Sequence, residues 1–245
     1  MRPMMVIASA VWTDAVRRKV VWMVVVFAAV LAFVSPSLPS YGLGVAEAVF
    51  REVSMALMYA AALVVTISLA ATRIPAETER RTVYGLLARD VRRWHYIAGT
   101  WVGVFAVTGA VLALSTVVTL AIGAITYGGL MPRLAAGAFA VWLEMGVIGA
   151  LALLLSTRVG AVTSTVGALT FTFIGHSVSS LFSGGAEGIS APWYVPSLEV
   201  FDVVNAIAHG QGYSAVHGLA MLAAAVGWTG ALLLGAAAVF DRRDL

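Results

Sequence analysis

Residues 97–127 read IAGTWVGVFAVTGAVLALSTVVTLAIGAITY, thirty-one positions without one Asp, Glu, Lys, Arg or His. A helix crosses the ~30 Å hydrocarbon core of a bilayer with about 20 apolar residues. This stretch is long enough to make lipid its solvent. Five more apolar stretches lie around it, at 20–38, 53–71, 134–155, 160–182 and 216–240. Their Ala, Val, Leu and Gly run without the alternation a barrel strand would need, so each backbone polar group must be paired inside a helix. The excess length of 97–127 leaves three readings open: tilt, projection beyond the membrane, or a break near Gly123. Composition agrees with lipid burial. The chain is 61% hydrophobic and 11% charged, against roughly 25% charged in a soluble domain. The expected fold is an all-α membrane protein of six transmembrane helices.

Charge distribution sets the expected orientation. With the N-terminus inside, thirteen of the fifteen Lys and Arg residues fall on cytoplasmic segments, leaving only Arg51 and Arg133 outside. That is the positive-inside pattern. Both termini are then cytoplasmic. Basic residues beside apolar spans encode topology, so the net charge of +3 is no argument for nucleic acid. The first span follows basic residues as a signal peptide would, but its length and the nineteen residues before it predict a retained helix. With no cysteine in the chain, disulfides, thiolate metal sites and a Cys nucleophile are excluded.

The 245 residues read as one domain: an interface helix at 1–19, spans one and two at 20–72, a polar cytoplasmic segment at 73–96, spans three to five at 97–182, an outer loop and helix at 183–214, and span six with its tail at 215–245. In the first piece Met4, Ile7, Ala8, Val11 and Ala15 share one helical face, and Asp14, Arg17 and Arg18 lie off it. This predicts an amphipathic helix at the inner interface. Segment 73–96, RIPAETERRTVYGLLARDVRRWHY, holds six of the fifteen basic residues. Pro75 suits a first helical position, which would put Glu77 and Glu79 in a first turn favoured by the helix dipole. Val83, Leu86 and Leu87 make a short apolar stripe that needs a partner groove, and Asp90 reads as the N-cap of a helix running into span three. In 183–214, Ser197 reads as the cap and Gly210 as the stop of one helix, SLEVFDVVNAIAHG, lying on or in the outer leaflet.

No catalytic constellation is present. The only lysine, Lys19, does not follow a glycine-rich turn, so this chain carries no P-loop for ATP. Glu144 lies mid-span and must face protein, a cavity or a partner. It either lines a substrate path or carries a proton, or it simply bonds a neighbouring helix. His176, also within a span, suits a helix–helix hydrogen bond and with Glu144 marks a candidate substrate path. His209 and His217 stand near Asp202 at the outer mouth of span six, spaced too widely for a metal site on one turn, so no metal is expected. Small residues at four-residue steps (Gly99 and Gly103, then Ser156, Gly160 and Ser164) allow close helix approach, in a dimer interface or in internal packing.

At IPAETERRTVYGLLARDVRRWHYIAGTWVG the chain resembles the permease subunits of type-2 ATP-binding-cassette exporters. The family pattern of an acidic pair, a Thr, a Leu-Leu pair, an Arg-containing turn and a Gly entering span three falls on Glu77 and Glu79, Thr82, Leu86 and Leu87, Arg93 and Gly99. The closing VFDRRDL is similar to the family's basic end. Arg81, Asp90 and Thr100 depart from the commoner Gly, Pro and Lys. The resemblance implies a non-catalytic permease in the plasma (inner) membrane of a prokaryote, paired with a second permease copy as a homodimer. A separate nucleotide-binding subunit would hold ATP and Mg, with no cofactor in this chain. Glu77, Glu79, Thr82, Val83, Leu86, Leu87 and Arg93 would form the coupling element. An alternative within the family is a subunit like that of the nitrous-oxide-reductase maturation transporter, with Asp202, His209 and His217 facing a periplasmic partner. Outside it stand a secondary transporter or channel, for which no inverted repeat is evident, and a membrane enzyme.

Overall fold

The computed structural model describes residues 2–17, 20–34, 45–79, 93–178 and 197–241, and among these every regular element is helical. In chain order they are α1 (Arg2–Arg17), α2 (Val21–Val34), α3 (Val45–Glu79), α4 (Arg93–Tyr127), α5 (Arg133–Ser156), α6 (Ala161–Gly175), a 3₁₀ turn (Glu199–Phe201), α7 (Val204–Ala208) and α8 (Ala215–Asp241). Four of them, α3, α4, α5 and α8, are long and apolar enough to cross a membrane, as a multi-pass membrane protein requires. Apolar side chains such as Ile125, Phe33 and Val162, 78–85% exposed, lie on the outside of the bundle, where lipid would cover them. α2 and α6, with 14 and 15 residues, reach about 22 Å at 1.5 Å per residue.

α5 is the axis of the bundle. Its apolar window is 72% buried, against 17% for α8, and it packs on α3, α4, α6 and α8. α3 and α5 run parallel, with Met55 beside Gly137, Tyr59 beside Glu144 and Thr66 beside Gly149. α3 and α4 run antiparallel: Phe50 meets Tyr127, Thr66 Oγ1 lies 2.9 Å from Thr108 Oγ1, and Tyr96 reaches Glu77. Reciprocal indole bonds fasten α4 to α5. Trp101 Nε1 donates to the Gly146 carbonyl and Trp142 Nε1 to the Phe105 carbonyl, each at 2.9 Å. Phe105 stacks between the two indoles, 4.9 Å from Trp101 and 4.2 Å from Trp142. Indole N–H groups in an apolar setting need such acceptors.

Several expectations change. α4 is one unbroken 35-residue helix through Gly123, so there is no break there, and its length of about 52 Å exceeds the ~30 Å hydrocarbon core. Span two is likewise part of a longer helix that passes through Pro75 to Glu79. Pro75 is therefore internal, and Glu77 and Glu79 occupy a last turn instead of a first one. Proline inside a helix forfeits one backbone bond and costs about 3 kcal/mol. Here the turn around it is held by fully buried Ile74 and by the Thr78 hydroxyl donating to the Ile74 carbonyl at 2.8 Å. Asp90, Val83, Leu86 and Leu87 lie outside the described residues.

The helix expected over 197–210 is two pieces. Asp202 adopts ψ 90° and its carboxylate accepts from the Val204 amide at 3.4 Å, so it ends the 3₁₀ turn just before Val203, which opens α7. The stop at Gly210 holds, with φ +68°, where glycine is the residue of least strain. This segment packs inward instead of lying on a surface: Leu198, Phe201, Val203 and Ile207 are all at most 3% exposed. The Leu198 amide donates to the Gly175 carbonyl at 2.9 Å, capping the C-terminal end of α6.

α1 has the predicted face, with Ile7, Val11 and Ala15 buried. It lies along α4 in a groove made by Gly99 and Gly103. A Cβ on Gly99 would sit 2.8 Å from the Met4 carbonyl oxygen, and one on Gly103 would sit 2.6 Å from Val11 Cβ. The first pair of small residues thus receives α1. The second serves packing between α5 and α6, where Ser164 Oγ donates to the Ala152 carbonyl at 2.8 Å.

Candidate functional site

The bundle brings together a buried polar triangle from three helices. Glu144 on α5 is 1% exposed. Its Oε1 accepts from the Tyr59 hydroxyl of α3 at 2.8 Å and lies 2.8 Å from His176 Nε2 at the C-terminal end of α6. The tyrosine oxygen is 3.1 Å from the same nitrogen. A carboxylate accepts only, so the network assigns the proton to Nε2, which donates to Glu144. Both bonds fall on one carboxylate oxygen. Among the described residues no Lys or Arg pairs with Glu144.

Glu144 stands eleven residues from Arg133 and fourteen from Arg158, roughly 16 and 21 Å along the helix. It is therefore deep in the apolar span, where an ionised group costs several kcal/mol unless compensated. His176 is the exposed member, with 28% of its side chain accessible against 2% for Glu144. The Leu198–Gly175 bond brings the 3₁₀ turn over this end of α6, and Glu199 and Asp202 lie within electrostatic reach of His176. Glu144 and His176 were legible as isolated polar residues. Tyr59 was missed, although a tyrosine hydroxyl inside an apolar span needs a partner and that requirement was its signal.

A second polar cluster ties helix ends at the basic end of the bundle. Arg73 on α3 reaches Asp14 on α1 at 3.3 Å and, through Nε, Glu77 one turn on at 2.5 Å. Glu77 Oε2 accepts from the Tyr96 hydroxyl of α4 at 2.6 Å. Arg93 Nη1 donates to the carbonyls of Phe240 and Asp241 at 2.9 and 3.1 Å, closing the end of α8 as a cation should at a helix C-terminus. Its guanidinium also lies 5.9 Å from the Phe240 ring centroid. Of the predicted coupling residues, Glu77 and Arg93 thus join this cluster. Glu79 borders a small cavity of about 170 Å³ with Thr78, Ser156 and Arg158. Thr82, Val83, Leu86 and Leu87 fall outside the described residues. Asp14, Arg73 and Tyr96 were not anticipated.

The residues predicted at the opposite mouth do not converge. Asp202 accepts from the Val204 amide, His209 Nδ1 donates to the Asn205 carbonyl at 2.9 Å, and the His217 ring stands 6.2 Å from that of Tyr213. Among the described residues no group of three His, Asp or Glu side chains is placed to hold a metal. Arg51 and Arg133 instead meet at the Gly210 turn. Arg133 donates to the Gly210 carbonyl and Arg51 pairs with Glu47.

The family profile described as "Protein of unknown function (DUF2705)" matches residues 7–198. The chain belongs to this family. The DUF2705 match runs from within α1 through α6 and takes in every residue of both polar clusters except the α8 carbonyls that Arg93 caps. No curated protein matches the chain.

Proposed function

We propose that this DUF2705 chain is the membrane-spanning permease subunit of an ATP-binding-cassette exporter. It would act as a homodimer in a prokaryotic inner membrane, driven by a separate ATPase subunit that holds ATP and Mg. In this reading α2 and α6 are also spans, giving six, with the basic end cytoplasmic. The observation that carries the reading is the bonding at that end. α1, α3, α4 and α8 are joined through Asp14, Arg73, Glu77, Tyr96 and Arg93 on either side of residues 80–92, the segment with the Val83, Leu86 and Leu87 stripe. A push delivered to that stripe reaches four helices at once. Transmission of this kind needs stiff elements fastened to one another, and polar side chains in partly buried positions fasten them. An apolar cleft of about 650 Å³ between α2 and α3, lined by Trp22, Val26, Phe27, Leu57, Ala60 and Val64 among others, suits a hydrophobic or amphipathic cargo.

The test is reconstitution. The purified chain alone should support no flux, and it should co-purify with a separate ATPase subunit from its own cell and transport only with that subunit and ATP. Robust flux from the chain by itself would transfer the case to a secondary transporter or channel. Leu86→Asp should leave membrane insertion and ATP hydrolysis intact and reduce transport to background, because a charge on the stripe cannot enter an apolar groove. Transport that survives this change would remove 80–92 from the coupling role.

A further inference from the structure

We propose that Tyr59, Glu144 and His176, with Glu199 and Asp202 above them, form a site for a single positive charge. It is carried either as a proton on the Glu144–His176 pair or as the basic nitrogen of an amphipathic cation. This names a cargo class for the exporter reading and rests on that reading only for the direction of movement. Binding itself needs no ATPase.

Three observations carry it. First, Glu144 is 1% exposed in the apolar interior and both of its hydrogen bonds fall on Oε1, so among the described residues Oε2 has no donor. Second, among the described residues the ionisable groups around His176 are acidic or neutral. α3 brings Tyr59, α5 brings Glu144, and the 3₁₀ turn and the residue after it bring Glu199 and Asp202. α7, with sequence VNAIA, brings none. The nearest α8 ionisable side chain, His217, stands against Tyr213 instead. Third, Arg133 donates to the Gly210 carbonyl and Arg51 pairs with Glu47, both beside the Gly210 turn. A carboxylate held without a cation in a low dielectric must take up a proton or bind positive charge. The partly exposed His176 is the point of entry, and the Tyr59 ring adds a face that favours cations.

The experiment uses the full chain in nanodiscs, without an ATPase, and two probes. Tetraphenylphosphonium should bind saturably, while tetraphenylborate, of the same shape and opposite charge, should not compete. Affinity should fall as pH is lowered from about 8 to about 5, because a histidine charges over that range and a charged His176 sets a competing cation on Glu144. Glu144→Gln should weaken binding at least about tenfold, the loss of one ionic partner, while Glu144→Asp, which keeps the charge, should retain binding and report that the fold survives. If tetraphenylphosphonium does not bind but the wild-type chain takes up a proton over that range and Glu144→Gln does not, the charge is a proton and the site stands. If neither uptake nor binding depends on Glu144, the site is overturned. Cation binding in a chain that never partners an ATPase would overturn the exporter reading and leave the site.

Discussion

Gly103→Leu should detach α1 from α4 and lower the melting temperature of the purified chain. The Cβ alone would lie 2.6 Å from Val11 Cβ and 3.0 Å from the Ala8 carbonyl oxygen. Neither contact is the far end of a flexible side chain, so the helices must separate. Overpacking of a tight contact costs typically 1–3 kcal/mol, and a clash with backbone belongs at about 3. Gly227→Leu is the matched control, because nothing lies within 4 Å of a Cβ at that helical position on α8. The chain has no cysteine, so Ile7→Cys, at a position now 6% exposed, reports the separation directly. A water-soluble maleimide should label it slowly in the parent and rapidly beside Gly103→Leu. Equal labelling rates together with an unchanged melting temperature would show that α1 is not seated in this groove.

Arg73→Ala should be the most damaging single change at the basic end. The guanidinium is 17% exposed and serves Asp14 on one side and Glu77, 15% exposed, on the other. Its removal takes a cation from Glu77, which is partly buried beside Tyr96. Breaking a fully buried pair by deleting one partner costs 3–5 kcal/mol. Discounted for the remaining solvent contact, about 2 kcal/mol is expected here. Removing both charges should be milder than removing one: Arg73→Met with Glu77→Gln should regain most of the lost stability, because no uncompensated charge is left. Thermal unfolding of the two single variants and the double variant supplies the cycle. Strict additivity would mean that Arg73 and Glu77 do not act as a pair.

The two polar clusters differ in how far they could be read from the chain. Glu144 and His176 stand out because they interrupt apolar runs, and the expense of such residues in lipid marks them without any coordinates. Their union does not show. Tyr59 is 85 residues from Glu144 and 117 from His176, and no local spacing reports which faces of α3, α5 and α6 meet. At the basic end the reading of Pro75 went astray for a related reason. Taken locally, proline after an apolar span starts a new helix. In the observed helix, which continues, Tyr96 holds the turn beyond it through Glu77, 19 residues away, and Asp14 holds the turn before it through Arg73, 59 residues away. The single helix expected over 197–210 failed where Asp202 had a second option, a local bond to the Val204 amide, and used it to separate the two pieces.

The sequence by itself determined that this protein is helical and suited to lipid, which face of α1 is apolar, and where close approach is permitted, because composition, 3.6-residue periodicity and the absence of a side chain are properties of a single strand of chain. Only the tertiary structure decided that Gly99 and Gly103 receive α1, that α3 runs on through Pro75, and that one buried carboxylate gathers a tyrosine and a histidine. Each of those depends on which helix stands beside which, and packing between distant segments has no local signature.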